Sequence, residues 1–316
     1  MKRRKFIENA ALGGLALGLT SFDKPNRMTG AGIPRRTLGK TGEKLSIIGF
    51  GGIMLNDNPQ EYANELVAKA FDAGINYFDI APSYGNALSK MGPALKSYRD
   101  RCFLACKTLE RDAAGAEKQL NESLSVFNTD HFDLYQLHAL SSVDEVEKVF
   151  APGGAMEVFV KARQQGKVKY LGFSAHSVDA AMLAMQKFNF DTILFPINFN
   201  CWQQGDFGPQ VYDMARSKGM GILALKAMAL TLLKEGEAKL YKNVWYRPVQ
   251  DDQLVKLALR YTLSKEITAA VPPGDAEFFW KAIEVASDFK PITTAEIDLL
   301  DNLASGNPPL FKHPAA

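Results

Sequence analysis

The amino-acid sequence is poor in cysteine, with three among 316 residues. Cys102 and Cys106 fall on one face of a predicted strand, and Cys201 is remote from both. An odd number of cysteines without Cys-x-x-Cys spacing argues against a disulfide framework and against a zinc or iron–sulfur site. The sequence therefore predicts buried free thiols and no metal centre.

The chain also lacks an excess of charge of either sign. Its net charge is +2, and apolar residues make up 47% of it against 23% charged residues. This balance is typical of a globular protein with enough apolar side chains for a full core, and it gives no reason to expect a nucleic-acid partner. The length fits two average domains or one α/β barrel.

The apolar run at residues 10–19 carries no charge but is too short to span a bilayer. It follows a basic start, "MKRRKFI", in which Arg3-Arg4 resembles a twin-arginine export signal. We expect residues 1–34 to be an export signal and linker, and residues 35–316 to fold as one domain. This predicts a periplasmic protein that meets the export machinery of the inner membrane. A cytoplasmic protein with an amphipathic N-terminal helix is the alternative.

Beyond the linker, apolar runs of strand length alternate with segments of helical spacing. Eight such runs follow the hairpin-like stretch RRTLGKTGEKLS: LSIIGFGG, INYFDIA, CFLACKT, FDLYQLHAL, VKYLGFSA, TILFPINFN, GILALKAM and ITAAVPP. Segments such as QEYANELVAKAFDAG between them have apolar residues at helical spacing. The pattern predicts an α/β fold, a (β/α)₈ TIM barrel with an N-terminal β-hairpin. A doubly wound sheet is the alternative, but no Gly-x-Gly-x-x-Gly loop follows the first run.

A barrel of this kind places functional residues at the C-terminal ends of its strands. Asp79 and Tyr84 follow the second run, Lys107 ends the third and His138 ends the fourth. Asp79 is costly to bury without a partner, and Lys107 is the predicted cation. Each residue alone could be a turn aspartate, a packed aromatic, a solvated lysine or a core histidine. Their occurrence at successive strand ends indicates a site.

These four residues fit the reduction of a carbonyl group. Hydride transfer leaves an alkoxide, which a phenol can protonate if an ammonium lowers its pKa or holds it ready. Lys107 would do both for Tyr84, lowering the pKa of the phenol and holding it in place, and Asp79 would pair with Lys107. His138 would donate a hydrogen bond to the carbonyl oxygen.

In these segments the chain resembles the aldo-keto reductase family, over residues 36–303. The stretches RRTLGKTGEKLSIIGFGG, FDIAPSYGNALSKMGPALK, LACKT, LYQLHAL and QQGKVKYLGFSAHS carry the resemblance, in the family's order. It implies an NAD(P)H-dependent oxidoreductase that reduces an aldehyde or ketone, or oxidises the alcohol. Asp79, Tyr84, Lys107 and His138 would be its catalytic residues, with Tyr84 as the proton donor.

The resemblance also implies a nicotinamide cofactor, with NADP as the default and NAD as the alternative. Ser174 would hold the nicotinamide carboxamide. The glutamine that the family often has on strand six is replaced near Pro196, which leaves Asn198 or Asn200 as substitutes. Lys226 lies after strand seven, where barrels often bind phosphate.

The loop after the eighth run would bind the rest of the dinucleotide, through Pro273, Gly274, Asp275 and Trp280. An acid at position 275 suits a ribose hydroxyl better than a 2′-phosphate. The alternative for Asp275 is the N-cap of the helix that follows.

The substrate would be a small carbonyl compound or a sugar-like one. Tyr241, Trp245 and Tyr246, in the long segment after the seventh run, could stack on a sugar or aryl ketone, or pack that segment onto the barrel. A cofactor-binding sensor or accessory protein with little turnover is the alternative function, and a lyase or isomerase is a third. The four residues together favour the enzyme.

Overall fold

Eight parallel strands form a barrel in the computed structural model, which describes residues 32–314. The predicted export signal lies outside these residues, and export stays a prediction. The strands, in chain order, are β1 (Arg35–Thr37), β2 (Lys44–Ser46), β3 (Phe50–Gly51), β4 (Tyr77–Asp79), β5 (Phe103–Thr108), β6 (Phe132–Leu140), β7 (Val168–Ala175), β8 (Thr192–Pro196), β9 (Gly221–Leu225), β10 (Ala229–Leu232), β11 (Tyr246–Pro248) and β12 (Ala269–Val271).

Helices follow most of the barrel strands and cover them from outside. They are α1 (Gln60–Asp72), α2 (Ala87–Leu95), α3 (Ala113–Phe127), α4 (Val143–Phe150), α5 (Ala155–Gln164), α6 (Val178–Lys187), α7 (Phe199–Gln203), α8 (Pro209–Ser217), α9 (Asp252–Leu263), α10 (Ala276–Ser287) and α11 (Thr294–Ser305). Side-chain caps define several starts; for example, Asp251 accepts hydrogen bonds from two backbone amides at the start of α9. Such caps satisfy amides that have no partner within the helix.

The barrel sheet has the order β3-β4-β5-β6-β7-β8-β9-β12, with parallel pairing throughout. A parallel bridge between Ile48 and Ala270 joins its first and last strands and closes the barrel. The hairpin of β1 and β2 precedes it, as predicted. The predicted (β/α)₈ barrel with an N-terminal hairpin is therefore confirmed.

The core lies in two layers, as alternation along strands requires. A smaller cluster fills the barrel interior, and a larger one lies between the strands and the helices. Leu38 in the hairpin turn belongs to the interior cluster and is fully buried. Thr268 Oγ1 donates to the Thr37 carbonyl oxygen at 3.0 Å, which fixes the hairpin beside the start of β12.

The sixth barrel strand is shorter than the sequence predicts. The expected strand covered residues 192–200, but β8 ends at Pro196 and α7 begins at Phe199. Proline has no amide hydrogen to continue the ladder, and Asn198 accepts a hydrogen bond from the Cys201 amide as the N-cap of α7. The strand prediction was wrong over its last residues for this reason.

The long segment after β9 is partly ordered as a second, two-stranded sheet. In it β10 and β11 pair antiparallel. All three cysteines are buried and unpaired, as predicted. Within residues 32–314, no helix is long and apolar enough to cross a membrane, and no cluster of acidic, histidine or cysteine side chains could hold a metal ion.

Candidate active site

A cavity of about 200 Å³ lies at the C-terminal ends of the barrel strands. Strand ends and the loops that follow them supply its walls. The lining residues are Gly51, Ile53, Asp79, Tyr84, His138, Ser174, His176, Leu194, Leu225, Lys226, Asn243, Trp245, Tyr246, Val271, Pro272, Pro273 and Gly274.

Beneath the cavity, Asp79 and Lys107 form a buried ion pair. Asp79 is the last residue of β4, and Lys107 lies on the neighbouring β5. Asp79 is 2% exposed and Lys107 is fully buried, and Lys107 Nζ donates to Asp79 Oδ1. The cation that a buried Asp79 requires is therefore Lys107, as predicted.

The Lys107 ammonium has three hydrogens and meets three acceptors. Besides Asp79, it lies 3.4 Å from the Ile80 carbonyl oxygen and 3.3 Å from Tyr84 Oη. Since Tyr84 Oη accepts from Lys107, the phenol keeps its own hydrogen to donate into the cavity.

The pKa of Tyr84 differs from the prediction, whereas Lys107 is charged as expected. Burial lowers the pKa of Lys107, but Asp79 and Tyr84 outweigh burial and raise it, so the ammonium stays charged. Burial raises the pKa of Tyr84, Lys107 opposes that rise and Asp79 adds to it. The expected lowering of the phenol's pKa was wrong, because burial outweighs the ammonium. Lys107 instead limits the rise and holds the phenol oxygen in place.

His138 lines the cavity near the end of β6. Its ring meets that of Tyr84 edge to face with 5.7 Å between centroids, and its Nδ1 lies 3.2 Å from Ser83 Oγ. Burial lowers the pKa of His138 well below its usual value, and the positive charge of Lys107 lowers it further. The imidazole is therefore neutral and carries one N–H.

Ser174 lines the cavity at the end of β7. The amide of Ala139, a residue with φ of 55°, donates to Ser174 Oγ at 2.7 Å. The hydroxyl hydrogen of Ser174 is therefore free to point into the cavity, at the position predicted to hold the nicotinamide.

Lys226 follows β9 with φ of 67°, an uncommon conformation for a residue other than glycine. Its Nζ lies 4.9 Å from the ring centroid of Trp245 and 5.0 Å from that of Tyr246. Burial lowers the pKa of Lys226 to about 8. Of the residues the structure describes, no carboxylate forms an ion pair with Lys226.

Pro273 and Gly274, also predicted to bind cofactor, line the cavity after β12. A Cβ at Gly274 would lie 2.7 Å from Ile53 Cγ2 and 3.0 Å from the Asn243 carbonyl oxygen. Only glycine fits between these neighbours, which leaves its backbone accessible to a ligand.

Other predicted cofactor residues do not line this cavity. Asn198 caps α7, and Asn200 Nδ2 donates to the carbonyl oxygens of Leu230 and Asn307. Asp275 accepts from the Glu277 amide at 2.9 Å as the N-cap of α10, which was the alternative for it. Trp280 packs on Phe279. Any contact of Asn198, Asp275 or Trp280 with a cofactor stays a prediction.

The aromatic residues of the long segment divide into two groups. Trp245 and Tyr246 line the cavity, and Trp245 is 41% exposed. Tyr241 packs against Phe278, with 4.9 Å between ring centroids, and so attaches the segment to α10. Phe311 lies near Trp245 and stacks on His176, which adds an aromatic rim to the mouth.

Four residues around the site escaped prediction from the sequence: Tyr77, Ser83, Gln136 and His176. Tyr77 and Gln136 each lie two positions before a predicted residue on a strand, so they share its face. That spacing is a signal which could have found them. Ser83 precedes Tyr84 in a loop, where the sequence indicates no direction for the side chain.

Comparison with known proteins agrees with the family resemblance seen in the sequence. The family model described as "Aldo/keto reductase family" matches residues 47–253. L-galactose dehydrogenase of Arabidopsis thaliana is 26% identical over 272 residues, which span 76% of this chain and 83% of that protein. The 6-dehydroglucose reductase of Novosphingobium aromaticivorans is 27% identical over 197 residues, which span 54% of this chain and 62% of that protein.

The fold has close counterparts among solved structures. The aldo-keto reductase AKR11C1 from Bacillus halodurans superposes with a TM-score of 0.67 at 21% identity. The match covers 89% of this chain and 99% of that one. At this identity the likeness shows the barrel fold.

Proposed function

Since the chain belongs to the aldo/keto reductase family, we propose that it is an NAD(P)H-dependent oxidoreductase that reduces an aldehyde or ketone, or oxidises the alcohol. The observation that carries the proposal is the placement of Lys107. Its ammonium binds Asp79 on one side and the Tyr84 oxygen on the other, directly below the cavity. A phenol held in this way is a proton donor at the floor of a binding site.

The residues present fit a nicotinamide dinucleotide. Gly274 offers backbone that a side chain would cover, and Lys226 offers a cation without a carboxylate partner among the described residues. Ser174 would hold the carboxamide, and Lys226 and Gly274 would contact phosphate. When bound, the reduced nicotinamide supplies a hydride to the carbonyl carbon.

The protein's part is to bind the carbonyl oxygen and to supply its proton. The N–H of neutral His138 and the O–H of Tyr84 both donate to that oxygen, and their hydrogen bonds strengthen as negative charge develops. Tyr84 then gives its proton from Oη. The charge left on the phenolate is stabilised by Lys107, which stays paired with Asp79.

Substitution of Tyr84 tests the proposal directly. Tyr84→Phe keeps the ring and removes the proton, so we expect kcat to fall by roughly 10²- to 10⁴-fold while the Kd of the cofactor stays near the wild-type value. Oxidation of NADPH and NADH with a panel of aldehydes, ketones and keto-sugars would measure kcat, and a fluorescence titration would measure Kd. Tyr98→Phe, which alters a tyrosine packed against Phe71 outside the cavity, is the matched control.

Two outcomes would contradict the proposal. A Tyr84→Phe variant with wild-type kcat would exclude Tyr84 as the donor. Tight cofactor binding without turnover on any substrate of the panel would instead support a sensor or accessory protein on the same fold.

We also propose that the substrate is sugar-like. The names of two relatives, L-galactose dehydrogenase and 6-dehydroglucose reductase, support this class. So does Trp245, a large aromatic side chain at the mouth with 41% of its surface exposed.

Export by the twin-arginine pathway is a further proposal, supported by the sequence motif at Arg3-Arg4. We expect the full chain to reach the periplasm of a bacterial host and the double variant Arg3→Lys, Arg4→Lys to stay in the cytoplasm. Cell fractionation measures this, and equal distribution of both proteins would contradict it.

A further inference from the structure

Tyr77 is a buried tyrosine that points at the ion pair from below. It lies on β4 two positions before Asp79, so both side chains face the barrel interior. Tyr77 is fully buried, and its Oη donates to Asp79 Oδ2 at 3.2 Å. Asp79 can only accept here, because it is the anionic partner of Lys107.

The barrel provides a fitted space for the Tyr77 ring. A Cβ at Gly49 would lie 2.5 Å from Tyr77 Cδ1, so the ring occupies volume that any other residue at position 49 would fill. Phe103, on β5, meets the ring edge to face with 6.1 Å between centroids. Packing on both sides therefore fixes the direction of the hydroxyl.

Gln136 contacts the same carboxylate oxygen from β6, two strands away from Asp79. It lies on β6 in register with Lys107, is fully buried, and its Nε2 donates to Asp79 Oδ2 at 3.4 Å. Oδ2 of Asp79 thus receives two donors from the barrel interior, and Oδ1 receives Lys107.

We propose that Tyr77 and Gln136 are positioning residues. They occupy Oδ2 of Asp79 and thereby leave one N–H of the Lys107 ammonium to donate to Tyr84 Oη. The inference rests on the proposed function, in which Tyr84 gives the proton. A carboxylate with both oxygens free would draw the ammonium into a two-oxygen contact. With Oδ2 already bound, Lys107 pairs with Oδ1 alone, and one of its hydrogens remains on Tyr84 Oη.

The proposal predicts that Tyr84 becomes less acidic when Tyr77 loses its hydroxyl. Tyr77→Phe removes one donor from Oδ2, so Lys107 moves toward Asp79 and stabilises the Tyr84 phenolate less. We expect the acid dissociation constant of the Tyr84 phenol to fall roughly three-fold to ten-fold. This is less than the full effect of losing a hydrogen bond to a charged group, because the contact with Lys107 is weakened and not removed. Gln136→Leu should act in the same direction, and the double variant should exceed either single one.

Alkaline ultraviolet difference titration of the full chain measures this acidity without substrate or cofactor. Each protein is compared with its own Tyr84→Phe version, so that the difference reports the Tyr84 phenolate alone. The titratable and charged groups that face Tyr84 are Asp79, Cys106, Lys107, His138 and Tyr77. Tyr77→Phe changes only the last of these, and Gln136→Leu leaves all five unchanged.

Tyr135→Phe is the matched control. Tyr135 is also fully buried and on a barrel strand, but it packs on Phe159 in the helical layer, with 4.9 Å between centroids. It should leave the Tyr84 titration unchanged. A Tyr77→Phe titration that coincides with wild type would overturn the proposal. If Tyr77→Phe does not fold, Gln136→Leu makes the same test.

The titration and the turnover measurement separate the two proposals. A shifted titration in Tyr77→Phe together with full turnover in Tyr84→Phe would support the positioning role and reject Tyr84 as proton donor. An unshifted titration in Tyr77→Phe together with loss of turnover in Tyr84→Phe would reject the positioning role and support Tyr84 as proton donor.

Discussion

Ser83 Oγ lies 3.2 Å from Nδ1 of His138. A neutral imidazole carries one N–H, so a serine that donates to Nδ1 leaves the hydrogen on Nε2, where it can bind a carbonyl oxygen. We expect Ser83→Ala to lower kcat/KM about five-fold, the usual effect of one hydrogen bond, with Ser83→Thr close to wild type.

The tautomer itself can be observed by ¹⁵N NMR, and the chain has only four histidines to assign. Ser217→Ala is the control, since Ser217 Oγ bonds the Met214 carbonyl oxygen on α8. A wild-type spectrum that places the hydrogen of His138 on Nδ1 would exclude this role for Ser83, whatever the kinetics.

The affinity for cofactor should depend on pH through Lys226. Burial lowers the pKa of this lysine to about 8, so it is charged below that pH and neutral above it. Because a phosphate is attracted only by the charged form, we expect the Kd of the dinucleotide to increase as pH rises through about 8. Fluorescence titration at a series of pH values measures this.

The control for that series is Lys226→Met, which keeps the length of the side chain and removes its charge. It should bind more weakly than wild type at neutral pH and lose the dependence around pH 8. A variant that retains the wild-type pH curve would show that another group is responsible.

Trp245 should matter more for large substrates than for small ones. Trp245→Ala removes an exposed aromatic surface at the mouth, so we expect KM for sugar-like substrates to rise about ten-fold, near the upper end of what one aromatic contact contributes. The KM of a two- or three-carbon aldehyde should change little. Equal effects on both kinds of substrate would indicate a general disturbance of the segment instead.

Gly49 should tolerate no side chain. Its Cβ would meet the buried ring of Tyr77, and we expect Gly49→Ala to lower the free energy of unfolding by about 1–3 kcal/mol through overpacking. Urea unfolding measures the change. At Gly306 a Cβ would have no neighbour within 4 Å, so Gly306→Ala is the control and should be close to neutral.

The barrel could be predicted because each strand is a continuous apolar run and each run is separated from the next by helical spacing. Asp79, Lys107 and His138 could be found because a parallel barrel gathers its strand ends at one face. The spacing of Tyr77 and Gln136 places them on the strand faces of Asp79 and His138, but the hydrogen bond from Gln136 to Asp79 also depends on the register between β4, β5 and β6, which the sequence does not show. The strand was predicted to run through Asn198, which instead caps α7, because the effect of Pro196 on the strand is local and an apolar pattern does not show it.

The bridge between Ile48 and Ala270 also has a consequence for biosynthesis. During translation a growing chain carries Asp79, Lys107 and His138 long before Ala270 emerges from the ribosome. Until then β3 has no partner on one edge, and contacts so distant in sequence form slowly. A nascent chain that stops short of β12 would therefore hold every proposed proton-handling residue and still lack a closed barrel to orient them.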